Sequence, residues 1–179
     1  HSNVNFSGSA ATPNLVVAAP DANGEICFRS TTTTHIVVDL FGVFDETAGV
    51  TVDLPRRLFD SRRDRGGAKV GAGGVVEIDL GAELGAPDGG AIVNLTGVGA
   101  EAAGHFTAYP CAAGKPVASN LNVGVRTAVA NAAFLAPDAE GKLCVATHST
   151  SHLVVDLLGE VGDVFEGRTA RRVLDTRQR

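Results

Sequence analysis

The octapeptide HIVVDLFG at residues 35–42 returns as HLVVDLLG at residues 152–159, and this recurrence constrains the fold more than any other feature of the 179-residue chain. The shift is 117 positions (152 − 35). It also relates Cys144 to Cys27, Asn131 to Asn14 and Asn120 to Asn3, and it aligns SNVN with SNLN and APDANGEIC with APDAEGKLC without a gap. Beyond the glycine the spacing shortens to 115, because RRLFDSR at 56–62 matches RRVLDTR at 171–177 (171 − 56). Fixed-period self-similarity is the mark of tandem architecture, and a period this long holds a whole domain. A counterpart of Cys111 would fall at −6 (111 − 117), before the first residue. The phase therefore predicts three pieces of a longer array. Residues 1–50 are the C-terminal part of a first module, 51–163 a complete module, and 164–179 a linker with the opening strand of a following one.

Within the complete module, apolar residues alternate with polar ones in eight short runs: RLFDSR, GVVEIDL, AIVNLTGV, HFTAYPC, SNLNVGV, NAAFLAP, KLCVATH and SHLVVDLLGEV. Gly, Pro, Asp and Asn punctuate them. Period-two runs at this spacing predict an all-β fold, a β-sandwich of about eight strands per module. Asp138 and Gly141, like Asp21 and Gly24, bracket a tight loop that reads as a hairpin. A calcium loop is not expected there, since Asn23 becomes Glu140 in the second copy and no distal acid follows. Only residues 81–90, GAELGAPDGG, suit a helical turn, and their glycines keep it short.

Three cysteines divide into a pair and an orphan. Cys111 and Cys144 lie in one module and are expected to be joined. Cys27 is the copy of Cys144 without a mate in the chain. A repeated pair of this kind points to an oxidising, extracellular or cell-surface setting. Zinc would require closely spaced ligands such as CxxC, and none occurs.

The polar residues inside the repeated strand need partners, because an isolated buried carboxylate is costly. Ile36, Val38 and Leu40 share one face, as do Leu153, Val155 and Leu157; Asp39 and Asp156 lie on the other. Both aspartates are expected to be buried, with Arg62 and Arg177 as donors and Asp60 and Asp175 completing a polar network. His35 and His152 lie four residues from these aspartates, about 13 Å along a strand, too far for a Ser-His-Asp triad. His148 and His152 are separated by the same span, too far to share a metal. No catalytic, metal or cofactor residue is expected.

Asn120 and Asn122, with Asn3 and Asn5 in the first copy, form a possible ligand face of amide side chains. Tyr109 is the sole Tyr and no Trp is present to stack on a sugar ring. The sequons at Asn94 and Asn5 fall in expected strands and are discounted. The formal charge is −5, and the one basic cluster, SRRDR at 61–65, contains its own acid and reads as a solvated loop. Nucleic acid and anionic membrane are thus not expected partners. No apolar run approaches the roughly 20 residues of a membrane span.

Together RVLDTR, HFTAYPC, ASNLN, GKLCV and HLVVDLLG resemble a module of this length found in tandem in secreted and surface proteins of high-GC bacteria. The resemblance covers the complete module and, through its copy, most of the first 50 residues. It implies export and an accessory or surface role, without catalytic residues. The expected function is a non-catalytic extracellular structural or adhesive unit that contacts neighbouring modules or identical copies and assembles into a filament by strand addition. The alternative is a carbohydrate- or cell-wall-binding module that tethers an enzyme to polysaccharide.

Overall fold

The computed structural model describes residues 2–6, 11–85, 89–162 and 165–166. Eight strands form between residues 50 and 161: β1 (Val50–Asp60), β2 (Val75–Asp79), β3 (Gly90–Val98), β4 (Gly104–Pro110), β5 (Leu121–Val123), β6 (Ala128–Leu135), β7 (Lys142–Thr147) and β8 (His152–Val161). Each coincides with one of the eight apolar runs. They pair antiparallel in two sheets, ordered β1-β8-β3-β6 and β2-β7-β4-β5. The all-β sandwich expected from the sequence is therefore formed.

The core lies between the sheets. Leu153, Val155 and Leu157 of β8 and Val93 and Leu95 of β3 meet Ile78, Phe106, Leu143 and Val145 from the opposite sheet. Burial of each such side chain stabilises the fold by about 1.5–3 kcal/mol. β2 shows strict alternation of exposed and buried residues, as a strand with one wet face should. β3 and β8 are buried on both faces. A second, smaller cluster explains this: Ile92, Leu158 and Val161 on the outer face pack with Val17, Val50, Phe134 and Phe165.

Cys111, which opens a one-turn 3-10 helix (Cys111–Ala113) after β4, is joined to Cys144 of β7 across 33 residues of chain. Closing a loop of that length stabilises by about 3–4 kcal/mol in the chain-entropy account. Cys27 is free and exposed.

Three expectations need correction. Asp138 and Gly141 make a tight turn, with Gly141 N donating to Asp138 O (2.9 Å), but the strands it joins lie in different sheets, since β6 pairs with β3 and β7 with β2 and β4. It is an arch between layers rather than a hairpin, and Gly141 (φ +76°) is required because a side chain there would strike the Gly81 backbone. The basic stretch holds a short helix, α1 (Ser61–Asp64), capped by the Asp60 side chain on Arg62 N. In the described part of the glycine-rich stretch, residues 81–85 and 89–90, the chain keeps to one short turn as expected, with Glu83 N and Leu84 N both donating to Leu80 O (2.9 and 3.0 Å), and Gly90 opens β3. Finally, Asp39 is exposed, and the described residues from 2 to 49 form no strand. The reason is ladder chemistry: β8 is a strand because β1 and β3 flank it on both sides, whereas no second copy of the β3 sequence occurs in the 179 residues to flank residues 35–42.

Candidate functional site

The outer face of the β1-β8-β3-β6 sheet carries a dense polar cluster. One register line crosses all four strands: Arg57 opposes Asp156, Asp156 opposes Asn94, and Asn94 opposes Ala132. Asp156 and Asn94 are both buried, so each must be satisfied from within the protein. Arg57 donates from Nε to Asp156 Oδ1 (2.5 Å) and from Nη2 to Oδ2 (3.3 Å), and its Nη1 reaches Asp60 Oδ2 (2.7 Å). Arg62 closes on Asp60 with Nε at 2.8 Å and Nη2 at 2.6 Å. Two guanidinium groups thus balance two carboxylates in a fork-to-fork network. The Arg62 side-chain bonds, reinforced by its backbone N–H and the charge of Arg57, pull the Asp60 carboxyl down to about 2.

The expected donor to Asp156, Arg62, belongs instead to Asp60, and Arg57 takes its place. A β-bulge between Arg57 and Phe59 shifts the register by one residue, which turns Arg57 onto the aspartate. The repeat did carry a signal, because Arg57 recurs as Arg172 in RRVLDTR. Asp175 and Arg177 lie outside the described residues.

Asn94 links this cluster to the first copy of the repeat. Asn14 Nδ2 donates to Asn94 Oδ1 (3.2 Å), and Asn14 Oδ1 accepts from the Ala132 N–H on edge strand β6 (2.8 Å). Asn94 Nδ2 in turn donates to Ser2 O (3.1 Å). Between this segment and the sheet lies a cleft of about 160 Å³, lined among others by Ser2, Asn5, Arg57, Arg62, Thr96 and Asp156. Asn5 Nδ2 is buried there without an acceptor among the described residues.

The other amides of the possible ligand face have mixed fates. Asn120 Oδ1 accepts from Ala108 N (2.8 Å), extending the β4–β5 ladder by a side chain, and only Asn122 presents itself to solvent from a strand. Asn3 lends its carbonyl to Asn14 (2.5 Å) as Asn120 does to Asn131 (2.7 Å), so the same contact is made in both copies. Tyr109 is buried and offers no stacking platform. Asn94 is buried too, in agreement with discounting its sequon.

The histidines are held by neighbours that spacing alone did not reveal. His105 and His148 stack across β4 and the end of β7 with centroids 4.9 Å apart. Burial, then the adjacent His148 and Lys115 charges, lower the His105 pKa. His152 Nδ1 lies 3.1 Å from Ser61 Oγ, which also accepts from Leu153 N. That leaves the serine proton for the imidazole, whose pKa burial likewise lowers. Ser61 is fully buried and Asp60 is committed to arginines, so this contact ties α1 to β8. Among the described residues one group of potential metal ligands gathers, Glu77 with Cys111 and Cys144, and the two sulfurs are spent in the disulfide. No described helix is long and apolar enough to cross a membrane.

Fold and cluster define a disulfide-stapled β-sandwich with a salt-bridge network on one outer face whose two carboxylates are buried under more exposed arginines. No family model, curated protein or solved structure matches the chain.

Proposed function

We propose that the chain is a non-catalytic extracellular module of a tandem array, acting as a structural or adhesive unit that joins its neighbours by strand addition. The observation that supports this reading is the contact between copies: Asn14 of the first copy bridges Asn94 and the free edge amide of Ala132 in the second. Here one side chain of the preceding copy takes up an edge N–H, and addition of a whole strand would extend the same cover along the open edge. The disulfide fits an oxidising location, and the polar cluster is spent on internal pairing.

Light scattering of the whole chain over a dilution series tests the proposal. The expected result is a mass that rises with concentration. A monomer at every concentration that sediments with bacterial cell-wall polysaccharide would replace it with the tethering reading.

A further inference from the structure

We infer that residues 15–44 are the second half of a sandwich whose other half is the β1–β4 portion of another module of this same repeat. The inference rests on the array reading above and names the surface and its partner. Val37, Leu40 and Phe41 are 84, 83 and 91% exposed, whereas their counterparts Val154, Leu157 and Leu158 are 2, 3 and 4% exposed. An apolar run of this size left in water marks an interaction surface.

Three residues say what covers it. Gly159 lies where β1 crosses β8, and a Cβ there would run into the Thr51 carbonyl and come within 3.0 Å of Val52 Cα. Gly42 keeps the glycine although nothing lies within 4 Å of it. Asp39 keeps the carboxylate that Asp156 gives to Arg57 of β1. Cys27 keeps the thiol that Cys144 gives to Cys111 at the end of β4. A β1 backbone, a β1 arginine and a β4 cysteine are three separate requirements, and the first half of one such module supplies them all. The local turn is already in place: Asp21 Oδ1 accepts from Asn23 N and Glu25 N at 2.9 Å each, as Asp138 Oδ1 accepts from Glu140 N (3.1 Å) and Lys142 N (2.8 Å).

The test is an extended chain with residues 50–117 duplicated in front of residue 1, which preserves the repeat spacing because residue 1 is the counterpart of residue 118. Refolded with oxidised glutathione, Cys27 and the added copy of Cys111 should lose two protons and two electrons to it, forming one S–S bond and releasing two reduced glutathiones. Peptide mapping should find that pair, and amide exchange at residues 36–41 should slow by at least about 100-fold. Gly42→Val should leave the melt of the original chain unchanged and abolish the new protection in the extended one. Because Phe28 stands where β7 has Val145, a second extended chain carrying Phe28→Val guards against overpacking. A free Cys27 with fast exchange at 36–41 in both extended chains overturns the inference. If the original chain nevertheless associates on concentration, the array reading survives; if it stays monomeric while the extended chain forms the bond, the array reading fails and the inference stands.

Discussion

Residues 35–42 and 152–159 differ at two of eight positions, yet one stretch is the buried centre of a sheet and the other lies exposed without strand pairing. The turns that precede them, by contrast, are alike: Asp21 N donates to Glu25 O at 2.9 Å and Asp138 N to Lys142 O at 3.0 Å, with Gly24 and Gly141 both at positive φ. The two copies therefore agree where a hydrogen bond closes within the copy, at the turn and between Asn14 and Asn3 as between Asn131 and Asn120, and part company where a strand must pair across the chain. A turn contains its own partners. A strand borrows them, and its ladder and apolar faces are only as good as its neighbours.

Substitution in matched pairs should break this comparison most sharply. Asp156→Ala removes the carboxylate that faces Arg57 Nε, leaves that guanidinium with Asp60 alone, and should cost about 3–5 kcal/mol, whereas Asp39→Ala should fall within about 0.5 kcal/mol of the parent. Urea melts of both variants check this, and equal midpoints would mean that the two copies are energetically alike. Next in size, replacing Cys111 and Cys144 by Ser should remove about 3–4 kcal/mol, while Cys27→Ser leaves the midpoint in place; thermal melts under non-reducing conditions separate the two.

Acid should act chiefly on the sandwich, where the shifted Asp60 is buried. His105 and His152 have lowered pKa values, so the unfolded chain binds protons first and stability falls as pH drops below about 6.5. Asp60 is held at about 2 against 3.8. Its contribution, about 2 kcal/mol by linkage, is complete above pH 4 and is lost as pH falls through 2. Melts from pH 7 to 2 should show both declines, and variants Asp60→Asn and His152→Gln should each remove their own. The smallest effect is the most telling about the shared part: Asp21 and Asp138, each fed first by the backbone N–H four residues on at Glu25 or Lys142, are both lowered. Carboxyl NMR titration should find both below 3.8, and a normal value at Asp21 alone would show that even the turn depends on the sandwich.

Much of the fold was legible. Eight alternating runs became eight strands, and two cysteines in one module became its disulfide, because burial period and covalent reach are written into local spacing. The central place of Asp156 followed from an acid set in an apolar strand. Its partner did not, because a single bulge before Phe59 decides whether Arg57 or Arg62 faces the sheet, and a one-residue slip turns a side chain to the other face. Nor was Asn14 legible as a bridge to Asn94 and Ala132, a contact spanning 118 residues to the latter, since nothing near Asn14 in the chain records what it will meet.

The sequence by itself determined what is local: the turns at Asp21 and Asp138, the alternation that marks each strand, the repeat, and the glycines that leave room for a crossing chain. The tertiary structure alone decided which sheet each strand joins, which arginine neutralises Asp156, and that one copy of a nearly identical octapeptide is a strand while the other is not. The reason is that a strand's hydrogen bonds and buried faces belong to it only jointly with its neighbours, so the same residues take different states as those neighbours are present or absent.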